Sequence, residues 1–119
     1  MIHEITDETF ETEVANSPIP CVILFTAGWC NLCPEMESRM KSLSDRMSEV
    51  KFCVVNTDTQ KGLRIAFAVG VAPYIVMVRN GMKLPLFDQI VPEDELEERI
   101  RYILDGGKPP IETPLRPIR

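Results

Sequence analysis

Cys21-Val22-Ile23-Leu24-Phe25, followed by Thr26-Ala27-Gly28 and then Trp29-Cys30-Asn31-Leu32-Cys33-Pro34, is the stretch whose reading decides the fold. The first five residues form a continuous apolar run containing branched side chains. At that length it predicts a strand covered on both faces, because a half-exposed strand would alternate. From Pro34 to Glu49 the apolar residues are Met36, Met40, Leu43 and Met47, the stripe of a helix lying on a sheet. The two cysteines therefore sit between a central strand and the start of a helix.

Working outward, Asp7 to Ala15 reads as a short amphipathic helix, with Phe10 and Val14 on one face and Thr6 or Asp7 as its cap. Asn16-Ser17-Pro18-Ile19-Pro20 is a connector. Phe52 to Val55 is a second buried strand, and Leu63, Ala66 and Phe67 mark a short helix before Gly70. Strand, helix and strand in succession imply parallel pairing of the first core strands. Tyr74 to Val78 is a third branched-rich run, and Asn80-Gly81 predicts a hairpin into Met82 to Phe87. Pro85 places that last strand at a sheet edge, where a missing N–H costs little. A final helix begins near Glu93-Asp94-Glu95, carries Leu96, Ile100, Ile103 and Leu104 inward, and ends at Gly106-Gly107. The expected domain is 1–107. Residues 108–119, with four of the ten prolines, read as an extended arm.

Composition narrows the function. At 119 residues with 45% hydrophobic and 26% charged residues, the chain is one globular domain, and no apolar run approaches the ~18 residues of a membrane span. A net charge of -5 disfavours nucleic acid and anionic membrane surfaces as partners. The acidic opening lacks the basic start and apolar centre of a secretory signal, so a cytoplasmic location is expected. There four cysteines are catalytic, metal-binding or simply buried rather than a structural framework.

Two residues between Cys30 and Cys33 bring their sulfurs within reach of a reversible disulfide. At a helix N-terminus the free N–H groups and the dipole stabilise a thiolate, drawing the pKa of Cys30 from ~8.5 toward ~7 or below. At 100° per residue Cys33 lies on the Met36, Met40 and Leu43 side, and Cys30 lies toward its flank. An outer attacking thiol and a shielded resolving thiol are what thiol–disulfide exchange requires. The competing readings are two reduced cysteines at a helix start, or half of a zinc site. A four-cysteine zinc or iron–sulfur site would need Cys21 and Cys53 to reach the helix start from their strands, where they read as inert core thiols. His3 reads as incidental. No phosphate loop or nucleotide fingerprint occurs, and neither metal nor cofactor is expected.

With these residues in view, the chain resembles the thioredoxin family from Ile2 to about Leu104. The resemblance is carried by Ile5-Thr6-Asp7-Glu8-Thr9-Phe10, Trp29-Cys30, Asn56-Thr57-Asp58, Val71-Ala72-Pro73 and Asn80-Gly81. It implies the α/β thioredoxin fold, a mixed five-stranded central sheet in the order 1-3-2-4-5 flanked by helices. It makes Cys30 and Cys33 the catalytic pair and Pro73 a cis-proline beside the disulfide. Trp29, Ala72 and Pro73 become substrate-binding positions, with the substrate chain paired like an added strand. The implied activity is reduction of protein disulfides in cell redox homeostasis. The implied partners are protein disulfide substrates and an electron donor of thioredoxin-reductase type. A thioredoxin-like binding or scaffold module, its arm docking a partner, is the alternative.

The sequence also departs from that family. The buried aspartate that assists the inner thiol corresponds to Leu24, and its lysine partner to Val54. Asn31-Leu32 replaces Gly-Pro between the cysteines, Ser38 stands at the helix-kinking proline, and Gln89 at a docking-surface glycine. Cys33 is left without an obvious base. Glu37, four residues further along the helix, is either a replacement acting through water or a solvated surface glutamate.

Overall fold

The computed structural model describes residues 1–116, so the last three residues of the expected arm lie outside the described residues. Strand β2, Cys21–Thr26, is the centre of the molecule. Val22 and Leu24 enter one core cluster and Cys21, Ile23 and Phe25 the other, all without solvent exposure. Two-sided burial is why this strand reads as an unbroken apolar run.

The other strands are β1 (Ile2–Glu4), β3 (Lys51–Asn56), β4 (Tyr74–Arg79), β5 (Met82–Phe87) and β6 (Thr113–Pro114). The sheet order is β1-β3-β2-β4-β5-β6. β3 runs parallel to β1 and β2, and β4, β5 and β6 continue as antiparallel pairs. Helices α1 (Cys33–Ser44) and α3 (Glu93–Leu104) cover one face through Met36, Met40, Leu43, Leu96 and Ile100. The other face is closed by α2 (Lys61–Ala66) and the N-terminal segment through Phe10, Val14, Leu63 and Phe67. Asn80 and Gly81, at φ 53° and 73°, make the hairpin turn with both residues left-handed.

Four sequence expectations are corrected. Among the described residues the sheet has six strands rather than five: Thr113 pairs with Lys83, Pro114 with Met82, and the Leu115 N–H donates to the Gly81 carbonyl at 2.9 Å. The arm thus covers the start of β5. Pro85 lies beyond this pairing, beside a bulge opposite Ile75 and Val76. The expected helix Asp7–Ala15 is a turn in which Thr6 and Thr9 exchange hydrogen bonds, followed by a π-type segment, Glu11–Ala15. Lys51 Nζ donates to the Glu13 carbonyl at 2.9 Å, and the Asn16 N–H reaches back five residues to Glu11. Asp7 caps a different helix, its carboxylate accepting from the N–H groups of Gly62 and Leu63 at 3.0 and 2.8 Å. Helix α1 stops at Ser44 rather than Glu49, tightening as Asp45 and Arg46 donate to Ser42 and Leu43, while Met47 remains fully buried.

Candidate functional site

The apolar strand β2 delivers the chain to the sheet end at Thr26, and α1 begins seven residues later. Thr57 fixes the intervening loop from the other side: its N–H and Oγ1 donate to the Thr26 carbonyl at 2.8 and 2.7 Å. The Gly28 N–H donates to Asp58 Oδ2 at 2.7 Å, and a Cβ at position 28 would stand 2.9 Å from that same oxygen. A side chain at position 28 would therefore have to displace the carboxylate that accepts this bond. The Cys30 N–H then turns back to the Ala27 carbonyl at 3.0 Å.

Cys30 and Cys33 are joined as a disulfide with their Cα atoms 5.5 Å apart. Cys33 opens α1, and Pro34 sits in the first turn, where its missing N–H leaves no helical bond unmade. The expected contrast in access is narrow in the closed disulfide, with Cys30 at 8% exposure and Cys33 at 3%. Their neighbours Trp29 and Leu32 are exposed, at 66% and 49%.

The Ala72–Pro73 peptide is cis. Tyr74, the next residue, pairs with Phe25, so Pro73 stands at the sheet end from which the cysteine loop departs. Pro73 is buried, Ala72 half-buried and Val71 exposed. The expected residues Trp29, Cys30, Cys33, Ala72 and Pro73 therefore share one end of the sheet.

The missing acid is evident in the packing. Leu24 is fully buried and its partners across the sheet are Val54 and Ile75, both aliphatic. A cleft of about 490 Å³ opens beside the disulfide instead, lined by both cysteines, Thr26, Asn56, Glu37, Ser38 and Lys41. Lys41 Nζ lies 3.6 Å from Glu37 Oε2.

Cys21 and Cys53 take no part in this site. They are free, fully buried thiols in the core cluster beneath α2, and Cys21 is at the far end of β2. Hydrogen bonding between them pulls the Cys21 pKa down and, with burial, pushes that of Cys53 up. Among the described residues no group of three or more His, Cys, Asp or Glu side chains is placed to hold a metal ion, and no helix is long and apolar enough to cross a membrane.

Sequence reasoning missed the Asp58–Gly28 clamp. The signal was present in Asn56-Thr57-Asp58, whose role rests on a contact between loops thirty residues apart. It also missed a second cleft behind Trp29, lined by Asp58, Lys61, Arg64 and Val71.

Comparison with known proteins agrees with this geometry. The family model described as Thioredoxin matches residues 1–102. A thioredoxin of Porphyra purpurea is 24% identical over 104 residues, covering 86% of this chain and 97% of that protein. The mitochondrial thioredoxin of Mus musculus is 29% identical over 96 residues, covering 80% of this chain and 58% of that one. Among solved structures, chloroplastic thioredoxin z superposes with a TM-score of 0.78 at 20% identity, over 88% of this chain and 96% of the other. The thioredoxin-like domain of Arabidopsis NCP (NUCLEAR CONTROL OF PEP ACTIVITY) gives 0.81 at 19% identity, over 99% and 92%.

Proposed function

The chain belongs to the thioredoxin family and is a thiol–disulfide oxidoreductase, and from that premise we propose that it works as a cytoplasmic protein-disulfide reductase with Cys30 attacking and Cys33 resolving. The observation that carries this reading is the closed Cys30–Cys33 pair between a buried strand and a helix N-terminus.

In the reduced protein the Cys30 thiolate, stabilised by the start of α1, attacks one sulfur of the substrate disulfide. That bond breaks, the first substrate sulfur leaves as a thiolate and takes a proton from water, and Cys30 is held in a mixed disulfide. Cys33 loses its proton and attacks the Cys30 sulfur. The second substrate thiolate departs, leaving Cys30 and Cys33 oxidised and the substrate two electrons richer. Trp29, Ala72 and Pro73 form the surface that receives the substrate chain. An electron donor of thioredoxin-reductase type restores the dithiol, and the cycle serves cell redox homeostasis. The free thiols Cys21 and Cys53 fit a reducing compartment.

Insulin reduction with dithiothreitol tests the activity. Acceleration that disappears in Cys30→Ser supports the proposal, and wild type no faster than the uncatalysed control excludes it. Equilibration against a glutathione series tests the direction: a potential near the roughly -270 mV end of the dithiol range supports a reductase, and one near roughly -120 mV an oxidant.

A further inference from the structure

We infer that Glu37 is the proton acceptor for Cys33, working through the water of the cleft beside the disulfide. The inference rests on the dithiol reading above and assigns the step that reading leaves open.

Resolution requires the Cys33 thiol to become a thiolate before it can displace the substrate from Cys30. Its proton has two directions in which to leave. Toward the core, the place of the family's buried acid is taken by Leu24, fully buried with aliphatic Val54 and Ile75 as its partners across the sheet, and none of the three can accept a proton. Toward the cleft both cysteines border an open space of about 490 Å³, ample for water. Thr26, Ala27, Gly28 and Asn56, from β2, its following loop and β3, bring no ionisable side chain to that space. Helix α1 brings two, Glu37 and Lys41. Lys41 as an ammonium has donors only, which leaves the Glu37 carboxylate as the acceptor.

Position supports the assignment. Glu37 follows Cys33 by four residues and so lies on the same face of α1, one turn along. Its side chain is 34% exposed, and Lys41 Nζ at 3.6 Å holds the carboxylate on that face. Glu35 supplies an internal contrast: it makes the same i,i+4 ion pair, with Arg39 at 3.1 Å, but does not border the cleft.

The step balances. The Cys33 proton passes through water to the Glu37 carboxylate as the Cys33–Cys30 bond forms and the Cys30–substrate bond breaks. The departing substrate thiolate carries the electron pair and is protonated through the same water, which returns Glu37 to its carboxylate form.

Rapid mixing of the reduced 119-residue protein with a disulfide-containing peptide, quenched in acid and read by mass spectrometry, resolves formation and decay of the Cys30 mixed disulfide. Glu37→Gln is expected to slow the decay about ten-fold or more while leaving formation unchanged. Glu35→Gln is expected to change neither, and Glu37→Asp to recover part of the loss. Formate is expected to restore the decay rate in Glu37→Ala in proportion to its concentration, which loss of a surface ion pair would not produce. Unchanged decay in Glu37→Gln, or no rescue by formate, overturns the assignment. Failure of the wild type to form any mixed disulfide overturns the dithiol reading itself, a distinct result.

Discussion

Asp58 holds Gly28 from across the sheet end, its Oδ2 accepting the Gly28 N–H at 2.7 Å, so the loop that presents Trp29 and Cys30 is fastened to the loop after β3. Removing the acceptor in Asp58→Ala is expected to cost about 1 kcal/mol in urea unfolding, since a partly solvated hydrogen bond to a charged group is lost. Attack by Cys30 is expected to slow by a few-fold. Asp58→Asn keeps an acceptor and should fall between the two. Equal attack rates in all three proteins would show that the clamp does not position Cys30.

Leu24→Asp places an unpaired carboxylate among aliphatic neighbours. Denaturant unfolding should show a loss on the order of 2–5 kcal/mol, combining lost packing with the cost of burying an acid. Burial raises the pKa of such a group, which suits it to accept a proton near neutrality. Resolution of the mixed disulfide is expected to accelerate, most visibly in the Glu37→Gln background. No gain there would mean that the position occupied by Leu24 has no path to Cys33.

Cys21 and Cys53 have no solvent exposure. The oxidised, folded protein is therefore expected to react with no equivalent of a thiol reagent, and with two equivalents once unfolded in denaturant. Reaction of either thiol on the timescale of native mixing would contradict their burial.

Glu97 is held below the ordinary carboxylate range by hydrogen bonds from Arg46 and Arg101, and Glu13 by one from Lys51. A carboxyl whose folded pKa lies below its unfolded value stabilises above the unfolded value and loses that contribution as pH falls through the folded one. Thermal midpoints should accordingly decline from about pH 5 downward. The decline should be shallower in Glu97→Gln and in Glu13→Gln. A parallel decline in wild type and variants would remove these pairs from the account of acid sensitivity.

Much of this architecture was legible because two-sided burial writes itself as Cys21 to Phe25, and a left-handed pair as Asn80-Gly81. The site was legible because Cys30 and Cys33 are local in sequence. The end of α1 was not, since Met47 keeps its place in the apolar stripe after the backbone has left the helix. Asp7 pairs with backbone more than fifty residues away, and no local propensity signals which helix it caps. Strand β6 was hidden by its composition: Pro114 lacks a donor, and it fits there because β6 lies at the outside of the sheet.

The returning arm bears on the company this protein keeps. A thiol–disulfide oxidoreductase that acts on proteins meets polypeptides whose extended segments are searching for hydrogen-bonding partners, and an open sheet edge would let them anneal permanently. One border here is β1, only three residues long. The other is shielded by Thr113 and Pro114 along Met82 and Lys83, and further on it is interrupted by Pro85 and a bulge. The flanks of the sheet thus give an extended polypeptide little to join.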